Sequence, residues 1–177
     1  VEAAPAAGTD ALWALLRGGG QVVLIRHGAT SGGAGDPAGF RLDDCTTQRN
    51  LNDRGRADAR RIGAAFRARG IPVARVVSSP WCRCLETARL AFGGTPEVWD
   101  ALRNAYVERQ DAPERTRRLR EALTRRPEGG NLVYVTHGAN ISAAVGVHPG
   151  EGELVIVTPG GPDGFRVAGR IPPSSLD

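Results

Sequence analysis

The chain contains no lysine and no methionine, and only three cysteines and three histidines in 177 residues. All 23 basic side chains are therefore arginine, an imbalance that base composition explains more simply than function does. The net charge of +4 suits anionic partners. Aromatic residues make up only 5% of the chain and do not interleave the scattered arginines, which argues against a nucleic-acid surface. Phosphorylated small molecules or an anionic glycan fit the charge. No apolar run approaches the roughly 20 residues of a bilayer span, so no membrane span is expected. P-loop and GxGxxG signatures are also missing, and no cofactor is expected.

The cysteines stand as Cys82-Arg83-Cys84 with Cys45 apart. This C-x-C spacing is neither the C-x-x-C of redox sites nor a zinc cluster, so no metal is expected. Two readings remain: three buried thiols, or one disulfide from Cys45 to Cys82 or to Cys84. A bridge would imply an oxidising compartment. Residues 1–9, rich in alanine with Pro5, read as a flexible segment resembling the new N-terminus left by signal-peptide cleavage, or a chain trimmed at that point.

The remainder reads as a single domain, residues 1–177 being long enough to bury a core. A short helix over Asp10 to Leu16 precedes a continuous apolar strand, Gln21 to Ile25. Residues 28–50 form a long loop. Asn52 caps a helix that runs to about Arg69, and Val73 to Ser78 forms a second strand. Ser79 as N-cap and Pro80 at the first helical position predict a helix to about Phe92. An extended piece near Glu97 to Trp99, an irregular stretch over 100–111 and a helix from Pro113 to Arg126 come next. Leu132 to Thr136 is a strand, Gly138 to Val145 a helix, and Leu154 to Thr158 with Phe165 to Val167 a closing hairpin. Alternating strands and helices predict an α/β three-layer sandwich: a mainly parallel sheet covered by helices on both faces.

Three of these strands end in similar chemistry. The first ends in Arg26-His27-Gly28, the second in Ser78-Ser79-Pro80 with Arg83 on the next helix, and a later one in Thr136-His137-Gly138. Sites in open α/β sheets gather beyond the carboxyl ends of strands. If these strands are neighbours, Arg26, His27, Arg83 and His137 meet. Two guanidinium groups and two imidazoles around one point call for an anion among them, and glycine at 28 and 138 lets it approach the backbone.

Four segments carry a family resemblance: Leu24 to Thr30, Leu51 to Gly55, Ser78 to Ala88 and Thr136 to Asn140. With them the chain resembles the histidine phosphatase superfamily, in the branch shared with phosphoglycerate mutases. The resemblance implies that His27 is a nucleophile forming phosphohistidine. It implies that Arg26, Arg83 and His137 hold the phosphoryl oxygens, and that Thr30 lines the pocket. Segments 44–51 and 81–84 resemble exported bacterial members, some of which act on phosphorylated envelope sugars. The expected activity is metal-independent phosphomonoester hydrolysis in the periplasm or outside the cell, or else in the cytoplasm. A phosphomutase and a catalytically weak module that binds phosphate or phosphohistidine are the alternatives.

One departure stands out. Asn104 occupies the place of the family's glutamate proton donor, and an amide cannot protonate a leaving group. Among the loop carboxylates Asp36, Asp43, Asp44, Glu108 and Asp111, the first choices for a substitute are Glu108 and Asp44. Arg103 and Arg109 are candidates for a second anionic group of the substrate. The three tryptophans read as packing residues and His148 as a surface-loop residue. Because His27 must be neutral to attack, activity is expected to fall at low pH.

Overall fold

The computed structural model describes residues 8–177. Of the segment 1–9 expected to be flexible, residues 1–7 lie outside the described residues, and Thr9 opens the first helix, α1 (Thr9–Arg17). The sequence then runs β1 (Val22–Arg26), α2 (Asp53–Ala68), β2 (Val73–Ser78), α3 (Cys82–Phe92) and β3 (Glu97–Val98). It continues through α4 (Ala112–Ala122), β4 (Asn131–Thr136), α5 (Gly138–Val145), β5 (Leu154–Pro159) and β6 (Phe165–Ile171).

The six strands form one sheet in the order β3-β2-β4-β1-β5-β6. The first four are mutually parallel; β5 and β6 run antiparallel as a hairpin at the far edge. Alternation along β1 and β4 builds two cores. Val23, Ile25, Val133 and Val135 pack with Leu12 and Trp13 of α1, Ile62 and Phe66 of α2, and Ala88 of α3. Val22, Leu24, Leu132 and Tyr134 point the other way and pack with Leu119 of α4 and Ile141 of α5. The period of two in a strand is what splits one apolar run between two faces. The three-layer arrangement is the result.

Three boundaries differ from the sequence expectation by more than one residue: β6 runs on to Ile171 rather than stopping at Val167, and two helices are shorter. Helix α3 starts at Cys82, with Trp81 and not Ser79 as its N-cap residue. Ser79 is still held by the sheet, its N–H donating to the Val135 carbonyl at 2.9 Å. Helix α4 ends at Ala122 rather than Arg126, because beyond it the N–H groups of Thr124 and Arg125 turn to the carbonyls three residues back, those of Glu121 and Ala122. Trp13 and Trp81 are buried, as packing residues should be, while Trp99 is only half-buried.

Topology places the site. The chain leaves β1 toward α2 on one face and leaves the adjacent β4 toward α5 on the other. Neighbouring parallel strands whose connections depart to opposite faces leave a crevice at their carboxyl ends. Arg26 pairs with Thr136 at the last register position, and His27 N–H donates to the Thr136 carbonyl at 3.1 Å. His27 and His137 therefore emerge side by side.

Candidate active site

The crevice holds a cavity of about 320 Å³, lined by Arg26, His27, Arg49, Arg83, Asn104 and His137 among others. The rings of His27 and His137 lie 5.7 Å apart, centroid to centroid. His27 Nδ1 sits 2.9 Å from the Gly28 carbonyl. A carbonyl only accepts, so Nδ1 carries the proton and Nε2 keeps its lone pair free. The His137 ring is set by the Ser79 hydroxyl, 2.8 Å from its Nε2.

Burial governs both imidazoles. It lowers the His27 pKa to about 3, with the Gly28 carbonyl opposing and Arg83, Arg26 and Arg49 adding to the fall. His137 is pushed well below the ordinary histidine value, by burial first and then by His27 and the three arginines. Both rings are neutral at neutral pH, and the low-pH loss of a neutral His27 lies near pH 3.

Arg83 is completely buried. Its Nη1 reaches Asp36 Oδ1 at 2.8 Å and the Arg49 carbonyl at 3.1 Å. Asp36 also accepts from the Arg49 N–H and from Trp81 Nε1. Burial alone would raise the Asp36 carboxyl, but these bonds, that of Arg83 foremost, hold it below the usual carboxylate range. Arg26 Nη1 donates to the Pro149 carbonyl at 2.9 Å. Arg26 Nε and Arg83 Nε are buried and have no partner. A Cβ at Gly138 would stand 3.1 Å from Arg26 Nε and press on that side chain.

Arg49 completes a trio of guanidinium groups; the sequence marks the segment 44–51 by resemblance but gives Arg49 no place in the site. It stands on the segment 48–51, after the 3₁₀ turn Cys45–Thr47, where no period or strand end flags a pocket residue. Its Nε donates to the Gly35 carbonyl at 2.7 Å and its Nη1 to Thr30 Oγ1, with Glu151 at 4.0 Å. A Cys45–Cys82 disulfide ties this segment to the start of α3, which carries Arg83. Cys84 is the free thiol, buried and pushed up to about 12 by that burial.

Several residues singled out from the sequence lie elsewhere. Gly28 does not line the cavity: its N–H donates to Thr87 Oγ1, and a Cβ there would strike the Gly55 carbonyl at 2.7 Å. Its bareness serves strand–helix packing, not anion approach. Thr30 lies behind Arg49 and donates to Glu151. The start of α3 is not an open row of donors either, since Gln48 Oε1 accepts the Cys82 N–H. Asp44 is a half-buried cap that accepts from Thr46 and does not line the cavity. Glu108 is paired with Arg103 at 2.5 and 2.8 Å, and that pairing holds its carboxyl below the ordinary value. Arg103 and Arg109 border a second depression beside the cavity. Asn104 does line the cavity, but its Oδ1 accepts the N–H groups of Tyr106 and Val107. His148, read as a surface residue, also lines it.

Fold and site together define an α/β protein with a cationic, imidazole-bearing crevice at a switch in sheet topology. Residues 22–110, half of the chain, match the model of the histidine phosphatase superfamily (branch 1), and the chain belongs to that family. No curated protein matches the sequence. Among solved structures, the protein histidine phosphatase SixA complexed with tungstate is 20% identical, with a TM-score of 0.61 over 89% of this chain and 99% of that one. An Entamoeba histolytica phosphoserine phosphatase mutant in complex with phosphoserine is 15% identical, with a TM-score of 0.63 over 89% of this chain and 99% of its own. A mycobacterial glucosyl-3-phosphoglycerate phosphatase is 20% identical, with a TM-score of 0.52 over 83% and 96%. At these identities the likeness is one of fold.

Proposed function

We propose that the protein hydrolyses phosphate monoesters of small molecules through a phosphohistidine on His27. One observation carries this reading. A neutral imidazole with a free Nε2 shares a cavity with three guanidinium groups, those of Arg26, Arg49 and Arg83. Three cations around one crevice call for an anion, and a phosphoryl group supplies both the charge and acceptors for their N–H groups. Nε2 attacks phosphorus in line with the departing oxygen. Arg26, Arg83 and His137 stabilise the equatorial oxygens, Arg49 adds to the positive field, and water then releases phosphate.

The Cys45–Cys82 bridge supports placement in an oxidising compartment, periplasmic or secreted. No helix among the described residues is long and apolar enough to cross a membrane. A cavity of about 320 Å³ fits a small phosphorylated molecule, such as a phosphosugar of the envelope.

Hydrolysis of p-nitrophenyl phosphate tests the reaction, because its leaving group needs little protonation. The native protein is expected to turn over, EDTA to leave the rate unchanged, and His27→Ala to lower it by on the order of 10⁴-fold or more. Full activity of His27→Ala overturns the nucleophile. Absence of turnover with retained tungstate binding leaves a binding module instead.

A further inference from the structure

The proposed reaction needs a proton for its leaving group, and the cavity offers few. Among the described residues its lining contains no aspartate and no glutamate. Asn104 is an amide already engaged with backbone donors. Asp36 is committed to Arg83 and Trp81, and Glu108 to Arg103. His27 and His137 are neutral through burial, and the one proton of His27 faces its neighbour's carbonyl. Arginine does not release its proton, and a phenol or hydroxyl, as at Tyr106 and Ser142, does so far less readily than an imidazolium. One lining residue remains.

His148 stands at the exposed rim of the same cavity. Its Nδ1 lies 2.7 Å from Ser142 Oγ on α5, which leaves Nε2 as the ring nitrogen without a protein partner. The loop that carries it is fastened on both sides. Arg170 on β6 donates to the His148 carbonyl at 2.9 Å, and Arg26 donates to the carbonyl of Pro149 at 2.9 Å. Glu153 then accepts the Gly150 N–H at 2.9 Å and also pairs with Arg170. Arg26 thus touches both the proposed phosphoryl site and the loop bearing the imidazole.

We propose that His148 is the catalytic proton donor that replaces the glutamate absent at position 104. The inference rests on the phosphomonoesterase reading above. As His27 Nε2 bonds to phosphorus, the bond from phosphorus to the ester oxygen breaks. Its electron pair stays on that oxygen, which takes the proton from His148 Nε2. In the second half, neutral His148 takes a proton from water as the water oxygen bonds to phosphorus. The phosphorus–nitrogen bond breaks, and its electron pair returns to His27.

The test compares leaving groups in His148→Gln and His148→Ala, using kcat/KM, which reports steps up to transfer onto His27. For an alkyl phosphate such as glycerol 2-phosphate, both variants are expected to lose on the order of 10²–10⁴-fold. For p-nitrophenyl phosphate the loss is expected to stay under about tenfold, since a good leaving group gains little from general acid catalysis. Added imidazole should restore part of the alkyl phosphate turnover of His148→Ala. An equal loss on both esters, or none on either, overturns the assignment. Because the result is a ratio within an active enzyme, it is distinct from failure of the phosphatase reading, which would appear as unaffected turnover in His27→Ala. Thermal unfolding of both variants checks that this exposed substitution leaves the fold intact.

Discussion

The cavity has two walls that are built in different ways. One wall is the ends of β1 and β4, where Arg26, His27, His137 and Gly138 are carried by adjacent strands in fixed register. The other consists of loops, where Gly35, Arg49, Asn104, Tyr106 and His148 are placed by side chain–backbone bonds, an ion pair and a disulfide. On the first wall a residue moves only if the core moves. On the second, a few polar contacts decide its position, so that wall can change while the chemistry stays. Arg83 joins the two: it sits on α3 beneath the strand ends, yet its guanidinium is held by Asp36 and the Arg49 carbonyl from the loop side.

Cutting that joint should give the largest effect. Asp36→Ala leaves the wholly buried Arg83 charge without its counterion, and breaking such a pair costs about 3–5 kcal/mol in stability by denaturant unfolding. Added phosphate should recover part of the loss, because an anion in the cavity replaces the carboxylate. An unchanged midpoint would show the two walls to be independent. Arg83→Ala should lower kcat for p-nitrophenyl phosphate by on the order of 10²–10³-fold, the usual consequence of losing one oxyanion donor. A loss confined to KM would move Arg83 from the transition state to simple binding.

The loop wall alone is probed by its covalent tie. Replacing Cys45 and Cys82 by serine reopens a closed segment with a sequence separation of 37 and should cost about 2–4 kcal/mol. Turnover of the folded fraction should drop less than in Arg83→Ala. Titration of unreduced protein in denaturant should find one thiol, that of Cys84. Three thiols would remove the bridge and the compartment argued from it.

The strand-end wall has a pH signature of its own. His27 holds a pKa of about 3 when folded, against an ordinary value of 6.5. The unfolded chain therefore binds the extra proton first as pH falls. Stability from this group is whole above pH 6.5 and is lost progressively toward pH 3. Between pH 6.5 and pH 5 the loss is roughly 1–2 kcal/mol for His27 alone. His27→Asn should flatten that slope in the unfolding free energy; an equally steep slope would assign it to other groups.

The same division marks how far the sequence alone is legible. Arg26, His27 and His137 are visible because an apolar run that ends in a charged or titratable residue marks a strand leaving the core, and the sheet brings such ends together. Arg83 is visible from its place on the first turn of the following helix. Arg49 and His148 stand in stretches without period, where only the folded path decides what they face. Asp44 and Glu108 show the reverse error. As loop carboxylates they have the right chemistry, but one caps a 3₁₀ turn and the other is taken by Arg103. Cys45 has two possible partners until the turn at 45–47 is set against the start of α3.

Gly28 and Gly55 meet where the end of β1 docks on the first turn of α2, with no side chain between them. On the proposed mechanism, recognition of a particular alcohol has to be learned by the loop-built half of the cavity, since the His27 nitrogen cannot be relocated to suit a new substrate. A variant library that spares residues 24–30 and 51–55 and diversifies 31–35 and 103–109 would vary which ester is accepted while leaving the displacement itself untouched.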